Sequence, residues 1–114
     1  MLSLEGRKIY LALGVTDMRK AINGLAILVE HALEENLFSG DLFVFCNRKK
    51  TLVKILYWDT NGFALWQKRL EKDQFMWPKT KGAAAQIEGR ELEWLLAGLD
   101  FAKAHQRLEY AFMT

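Results

Sequence analysis

The chain has 114 residues, 51% hydrophobic and 26% charged, with a net charge of +2, which is one globular domain rather than two or a disordered tail. A lone cysteine, Cys46, excludes an internal disulfide, and one Cys with two His (His31 and His105) cannot build a Cys/His zinc cage. No apolar run approaches the ~18 residues of a membrane helix, and neither a Gly-rich phosphate loop nor a Gly-x-Ser-x-Gly elbow occurs.

The opening Met1-Leu2-Ser3-Leu4-Glu5-Gly6 is polar too early for a signal peptide, so a reducing cytoplasm is expected. The carboxylates are scattered without an acid/base frame, so no catalytic residue, metal or cofactor is expected, and no membrane partner.

Lys8 to Leu13 alternates as a strand that Gly14 ends. Thr16 or Asp17 is placed to cap a helix. Met18, Ile22, Leu25, Val29 and Leu33 then draw one apolar stripe along a helix from about 17 to 35. Gly24 inside it suggests close packing against a sheet. Leu42 to Cys46 is apolar throughout, as in a strand buried on both faces. Asn47-Arg48-Lys49-Lys50 reads as a hairpin loop, Leu52 to Trp58 as the next strand, and Asp59-Thr60-Asn61-Gly62 as a turn with Gly62 left-handed. Phe63 to Leu70 returns, and Gln74 to Trp77 gives a fourth strand stopped by Pro78. A short strand is expected around Gln86 to Glu88. A helix from about 90 to 98 follows, with Leu92, Leu95, Leu96 and Leu99 on one face and Gly98 at its end. Phe101, His105, Leu108 and Phe112 have the spacing of a further helix. The expected fold class is α+β: an antiparallel β-meander sheet over 42–77, an N-terminal helix on one face, and a C-terminal helix. It forms a single domain, 1–114, with a compact core over about 7–99 and a tail over 100–114.

The small net charge hides an uneven distribution. Residues 1–47 carry four basic and six acidic side chains, residues 48–81 nine and three, and residues 82–114 three and five. A basic middle between acidic flanks points to a local electropositive surface. With a three-residue turn at 60–62, Asp59 would pair with Phe63 and Lys54 would face Lys68. Arg48, Lys49, Lys50, Lys54, Lys68, Arg69 and Lys72 would then converge at one sheet end. Like charges directly opposite disfavour a sheet, and such a cluster is explained either by phosphates or by Glu71, Asp73 and solvent. One residue of register change would separate Lys54 from Lys68. Arg19 and Lys20, in the expected first helical turn, suggest an anion site; an ion pair of Arg19 with Asp17 or Glu5 is the alternative. The four tryptophans are expected to fill the core, with Tyr57 and Trp77 the aromatics best placed for exposure, and Cys46 is expected to be a buried small hydrophobe.

Ile9-Tyr10-Leu11-Ala12 followed by Gly14-Val15-Thr16-Asp17-Met18-Arg19-Lys20 resembles the opening of the insertion sequence 66 family accessory protein, TnpB. So do Gly24-Leu25, Phe38-Ser39-Gly40, Leu42-Phe43-Val44-Phe45 and Asn47-Arg48. The likeness continues through Lys54-Ile55-Leu56-Tyr57-Trp58-Asp59, Gly62-Phe63, Leu65-Trp66, Lys68-Arg69-Leu70-Glu71 and Phe75-x-Trp77-Pro78. Two features depart from it: Cys46 stands where a polar residue is expected, and the tail after Asp100 is neither basic nor proline-containing. The resemblance implies a small bacterial accessory protein for transposition of its element, with cutting and joining done by a separate transposase. It carries no established active site. The expected partners are DNA, met through the basic sheet end, and the element-encoded transposase. The alternatives are a protein–protein adaptor without DNA contact and, with less support, a metal-dependent nuclease using a carboxylate such as Asp17 or Asp59. The oligomeric state stays open.

Overall fold

The computed structural model describes residues 3–79, 82 and 84–99. In chain order the elements are β1 (Ile9–Ala12), α1 (Ile22–His31), β2 (Leu42–Cys46), β3 (Leu52–Asp59), β4 (Gly62–Arg69), β5 (Ala84–Ile87) and α2 (Gly89–Leu96). The strands form one sheet in the order β4-β3-β2-β1-β5. β2, β3 and β4 are antiparallel neighbours and β5 is antiparallel to β1. β1, however, runs parallel to β2, with Ile9 opposite Leu42. The fold is therefore α+β, but its sheet is mixed, not the expected meander. A parallel pair needs a crossover connection, and α1 supplies it.

Each face of the sheet carries its own core. On one face, Ile9, Leu11, Leu42, Val44, Val53 and Ile55 pack against Leu92 and Leu95 of α2. On the other, Ala12, Phe43, Phe45 and Leu56 pack against Leu25 and Val29 of α1. Burying each of these α1 side chains contributes about 1.5–3 kcal/mol. The two-sided burial explains why β2 is apolar at every position, all five of its residues being buried.

Gln74 to Trp77 is not a strand. Its inward alternation is real, with Phe75 and Trp77 buried and Met76 exposed. The chain must pass from β4, at one edge, to β5, at the other, so this segment crosses a sheet face instead of extending the edge. Phe75 N–H donates to the Lys50 carbonyl (2.7 Å) and Trp77 Nε1 to the Ala12 carbonyl (3.0 Å). Trp77 is thus 7% exposed, which agrees with core filling by the tryptophans and not with its candidacy for exposure.

The first helix is shorter than its apolar stripe. It starts at Ile22 after Ala21, with no side-chain cap. Thr16 instead donates its N–H to the Cys46 carbonyl, and Asp17 closes a tight turn in which Lys20 N–H reaches the Asp17 carbonyl (3.1 Å). Met18 and Leu33 still pack on the α1 face from outside the helix. Gly24 does not approach the sheet: a Cβ there would meet the Lys20 side chain at 3.1 Å. The second helix ends as expected, Gly98 taking φ +82. Beyond Leu99 the expected tail helix lies outside the described residues.

Candidate nucleic-acid interface

The β3–β4 turn is one residue shorter than expected. Asp59 pairs with Gly62, so Thr60 and Asn61 alone make the turn, and the left-handed residue is Thr60 (φ 52) rather than Gly62. That slip changes the site. Lys54 faces Gln67 and Lys68 faces Val53, which puts the two lysines on opposite faces. Each is drawn to its own side of the sheet. Lys54 Nζ donates to the carbonyls of Met18 (2.9 Å) and Lys20 (3.1 Å), pinning the turn before α1. Lys68 Nζ donates to the Leu96 carbonyl (2.9 Å) at the end of α2, where a cation complements the helix dipole. The expected seven-residue cluster is corrected accordingly: its members do not all converge.

Five of them remain together. Arg48, Lys49 and Lys50 lie in the β2–β3 loop, Arg69 ends β4 opposite Leu52, and Lys72 follows it. Asn47 builds the loop from inside. Its Oδ1 accepts from Thr51 N–H (2.9 Å) and Leu52 N–H (3.1 Å), and its Nδ2 donates to Thr51 Oγ1 (3.2 Å). The segment after β4 braces the loop from outside, through Leu70 N–H to the Thr51 carbonyl and Gln74 Nε2 to the Lys49 carbonyl, both 2.8 Å. The result is a fixed turn whose exposed tip is Arg48 and Lys49. Arg69 pairs with Glu71 (3.2 Å), both well exposed, so that pair is weak and open to exchange with an anion. Sequence reasoning named the loop's cations but missed Asn47, although an Asn opening a polar turn is a recognised backbone partner.

Arg19 and Lys20 are not in a helical first turn. Arg19 instead grips Asp17, Nη2 to Oδ2 at 2.7 Å and Nε to Oδ1 at 3.0 Å, and its N–H reaches the same carboxylate (3.0 Å). Side-chain and then backbone hydrogen bonds from Arg19 hold the Asp17 carboxyl well below the usual carboxylate range. The ion-pair alternative is the one observed, and Lys20 stands exposed beside it.

The opposite end of the sheet is different in kind. Phe38, 58% exposed, meets Trp58 and Phe63 at ring-centroid distances of 5.2 and 5.7 Å, and Trp58 meets Phe63 at 4.9 Å. Asp59 ends β3 at this turn, and the Asp41 carboxylate accepts from Lys8 N–H (3.1 Å). Tyr10 has its phenol pushed up by burial and then by Glu35 and Asp41. Cys46, at the basic end, is buried as expected, and burial pushes its thiol up to about 11. Among the described residues no three His, Cys, Asp or Glu side chains gather as metal ligands, and no helix is long and apolar enough to cross a membrane.

Comparison with known proteins agrees with the resemblance in the sequence. The family described as IS66 Orf2-like protein matches residues 7–106, and the chain belongs to that family. The uncharacterized protein y4hO of Sinorhizobium fredii is 38% identical over 94 residues, 82% of each chain. The uncharacterized protein y4jC of the same organism is 34% identical over 103 residues, 90% of this chain and 88% of the relative. No solved structure matches the chain. The family supports an accessory role in transposition.

Proposed function

We propose that the protein is a non-catalytic accessory factor of its element that binds DNA at the basic end of the sheet, in the bacterial cytoplasm. The observation that carries this reading is the braced β2–β3 loop, which holds Arg48 and Lys49 outward on a fixed turn beside Lys72. A rigid turn presents cations to phosphates with little ordering cost at binding. Phosphate contacts of this kind position a protein without reading sequence, so sequence choice would come from a partner, the element's transposase. The test is fluorescence anisotropy on the element's terminal DNA and on unrelated DNA over a range of salt. Replacing Arg48 and Lys49 with Ala should weaken both complexes and flatten the log–log salt slope by about two. Unchanged affinity at low salt would sink the reading.

A second reading, an adaptor that meets the transposase without touching DNA, is favoured by the aromatic cluster of Phe38, Trp58 and Phe63. Exposed aromatics are the usual anchors of protein interfaces. Co-purification with the transposase that survives nuclease and high salt, and is lost in Phe38→Ala, would support it.

A further inference from the structure

A pocket of about 180 Å³ opens at the basic end, where the chain leaves the parallel strands β1 and β2. Its floor is Trp77 and Cys46, its walls are Val15 and Pro78, and Lys50 and Lys79 stand at its rim. Loops diverge at the carboxyl ends of parallel strands, which is where α/β sheets make their ligand crevices. The volume is below the ~300 Å³ at which whole small-molecule sites begin, but an apolar void of about 150 Å³ admits a benzene ring. The space therefore fits one ring system. Its chemistry is apolar inside and cationic at the mouth, and among the described residues no carboxylate is in ion-pair range of either ammonium.

Lys50 is held to the pocket by its backbone. It sits in the left-handed region at φ 59, a conformation that glycine adopts freely and a lysine resists. The same turn that points Arg48 and Lys49 outward brings Lys50 to the pocket, which it lines together with Cys46. Glu34, Thr60 and Asp73 share that conformation, so what sets Lys50 apart is its place in the pocket lining.

We propose that this pocket holds one unstacked nucleotide of the bound DNA, its base between Val15 and Pro78 over the exposed edge of Trp77 and its phosphate between Lys50 and Lys79. The proposal rests on the DNA-binding reading and deepens it: the braced loop takes the duplex backbone, and the pocket takes a nucleotide that has left the stack. A protein that served an element's ends in this way would prefer frayed, bulged or single-stranded DNA to perfect duplex.

The test compares a perfect duplex with the same duplex carrying one bulged 2-aminopurine, by anisotropy and by the fluorescence of that base. Wild type should bind the bulged duplex about fivefold more tightly, the low end of a base–aromatic contact, because Trp77 offers only its 7% exposed edge, and the 2-aminopurine should brighten as it leaves the stack. Val15→Trp fills the mouth from a position already 57% exposed, so it should erase the preference and leave perfect-duplex affinity unchanged. Lys50→Gly should unfold at a higher temperature than wild type and still lose most of the preference. Equal affinity of wild type for the two duplexes, or a preference that survives Val15→Trp, overturns the pocket proposal while leaving the DNA reading intact. An acidic peptide that displaces the bulged base would overturn it too, by reassigning the pocket. Absence of binding to either duplex at low salt would overturn both.

Discussion

The two ends of the sheet show opposite ways of treating exposed groups. At the β2–β3 loop end, that loop and the segment after β4 carry six cations (Arg48, Lys49, Lys50, Arg69, Lys72 and Lys79) against two acids, Glu71 and Asp73. Their backbone is tied down by Asn47, Gln74 and the crossing segment at Phe75. At the β3–β4 turn end, the charges are mostly acidic, the exposed surface is aromatic, and a β-branched Thr60 occupies a left-handed position that a glycine would take without cost. One end has a braced backbone and an excess of exposed cations; the other has paired rings, and each has a left-handed non-glycine residue, Lys50 and Thr60. The difference teaches that a 114-residue domain can give its two ends opposite surface chemistry over a two-faced core, by loops alone.

That contrast can be broken at several points. The largest effect is expected from Phe75→Ala, which removes a fully buried ring beneath the basic loop. It should cost about 3–5 kcal/mol, read as a lower urea midpoint. Next comes Asn47→Ala, which unties three hydrogen bonds and leaves two backbone N–H groups to find new partners. A loss of about 1–3 kcal/mol is expected, with weaker DNA binding although no charge has changed. Full DNA affinity in this variant would mean that charge alone matters and the bracing does not. At the other end, Thr60→Gly should raise stability by about 1 kcal/mol and leave DNA affinity untouched. The smallest effect concerns pH. Asp17 is held below its ordinary range, so the Asp17–Arg19 contact contributes fully above the usual carboxylate pKa and is lost only as pH falls beneath it. The Arg19 amide shift in an NMR titration should stay constant through pH 5 and move only in stronger acid, a response that Asp17→Asn abolishes.

Much of this was legible in the residues, and the failures have physical causes. β2, β3, β4 and α2 follow from local apolar patterns, and those patterns fall where the elements are. The parallel pairing of β1 with β2 is not a local property. Its signals were a strand, a helix and then a strand apolar at every position, which together describe a crossover unit. The segment Gln74 to Trp77 has the alternation of a strand, because a chain crossing a hydrophobic face buries every second residue as a strand does. In the candidate site, Arg48, Lys49 and Lys50 were visible as a basic loop. The separation of Lys54 from Lys68 hinged on one residue of turn length, which no composition rule decides when Gly62 and Thr60 compete for the same role. The pocket needed Val15, Cys46, Lys50 and Trp77 from three separate stretches of chain, and only the folded arrangement brings them together.

The place of β1 also governs how the chain can be made. Its second edge is filled only by β5, with Ala12 opposite Ala84, so a nascent chain emerging in order exposes that edge until its last strand leaves the ribosome. Ile9 and Leu11, fully buried in the finished fold, are expected to lack that cover through the interval, and an open apolar edge templates pairing with other chains. The local hairpins of β2, β3 and β4 can form early, whereas sheet closure waits for a contact spanning most of the chain, and such contacts are slow. Truncation before residue 84 is therefore expected to give an aggregating product rather than a smaller domain.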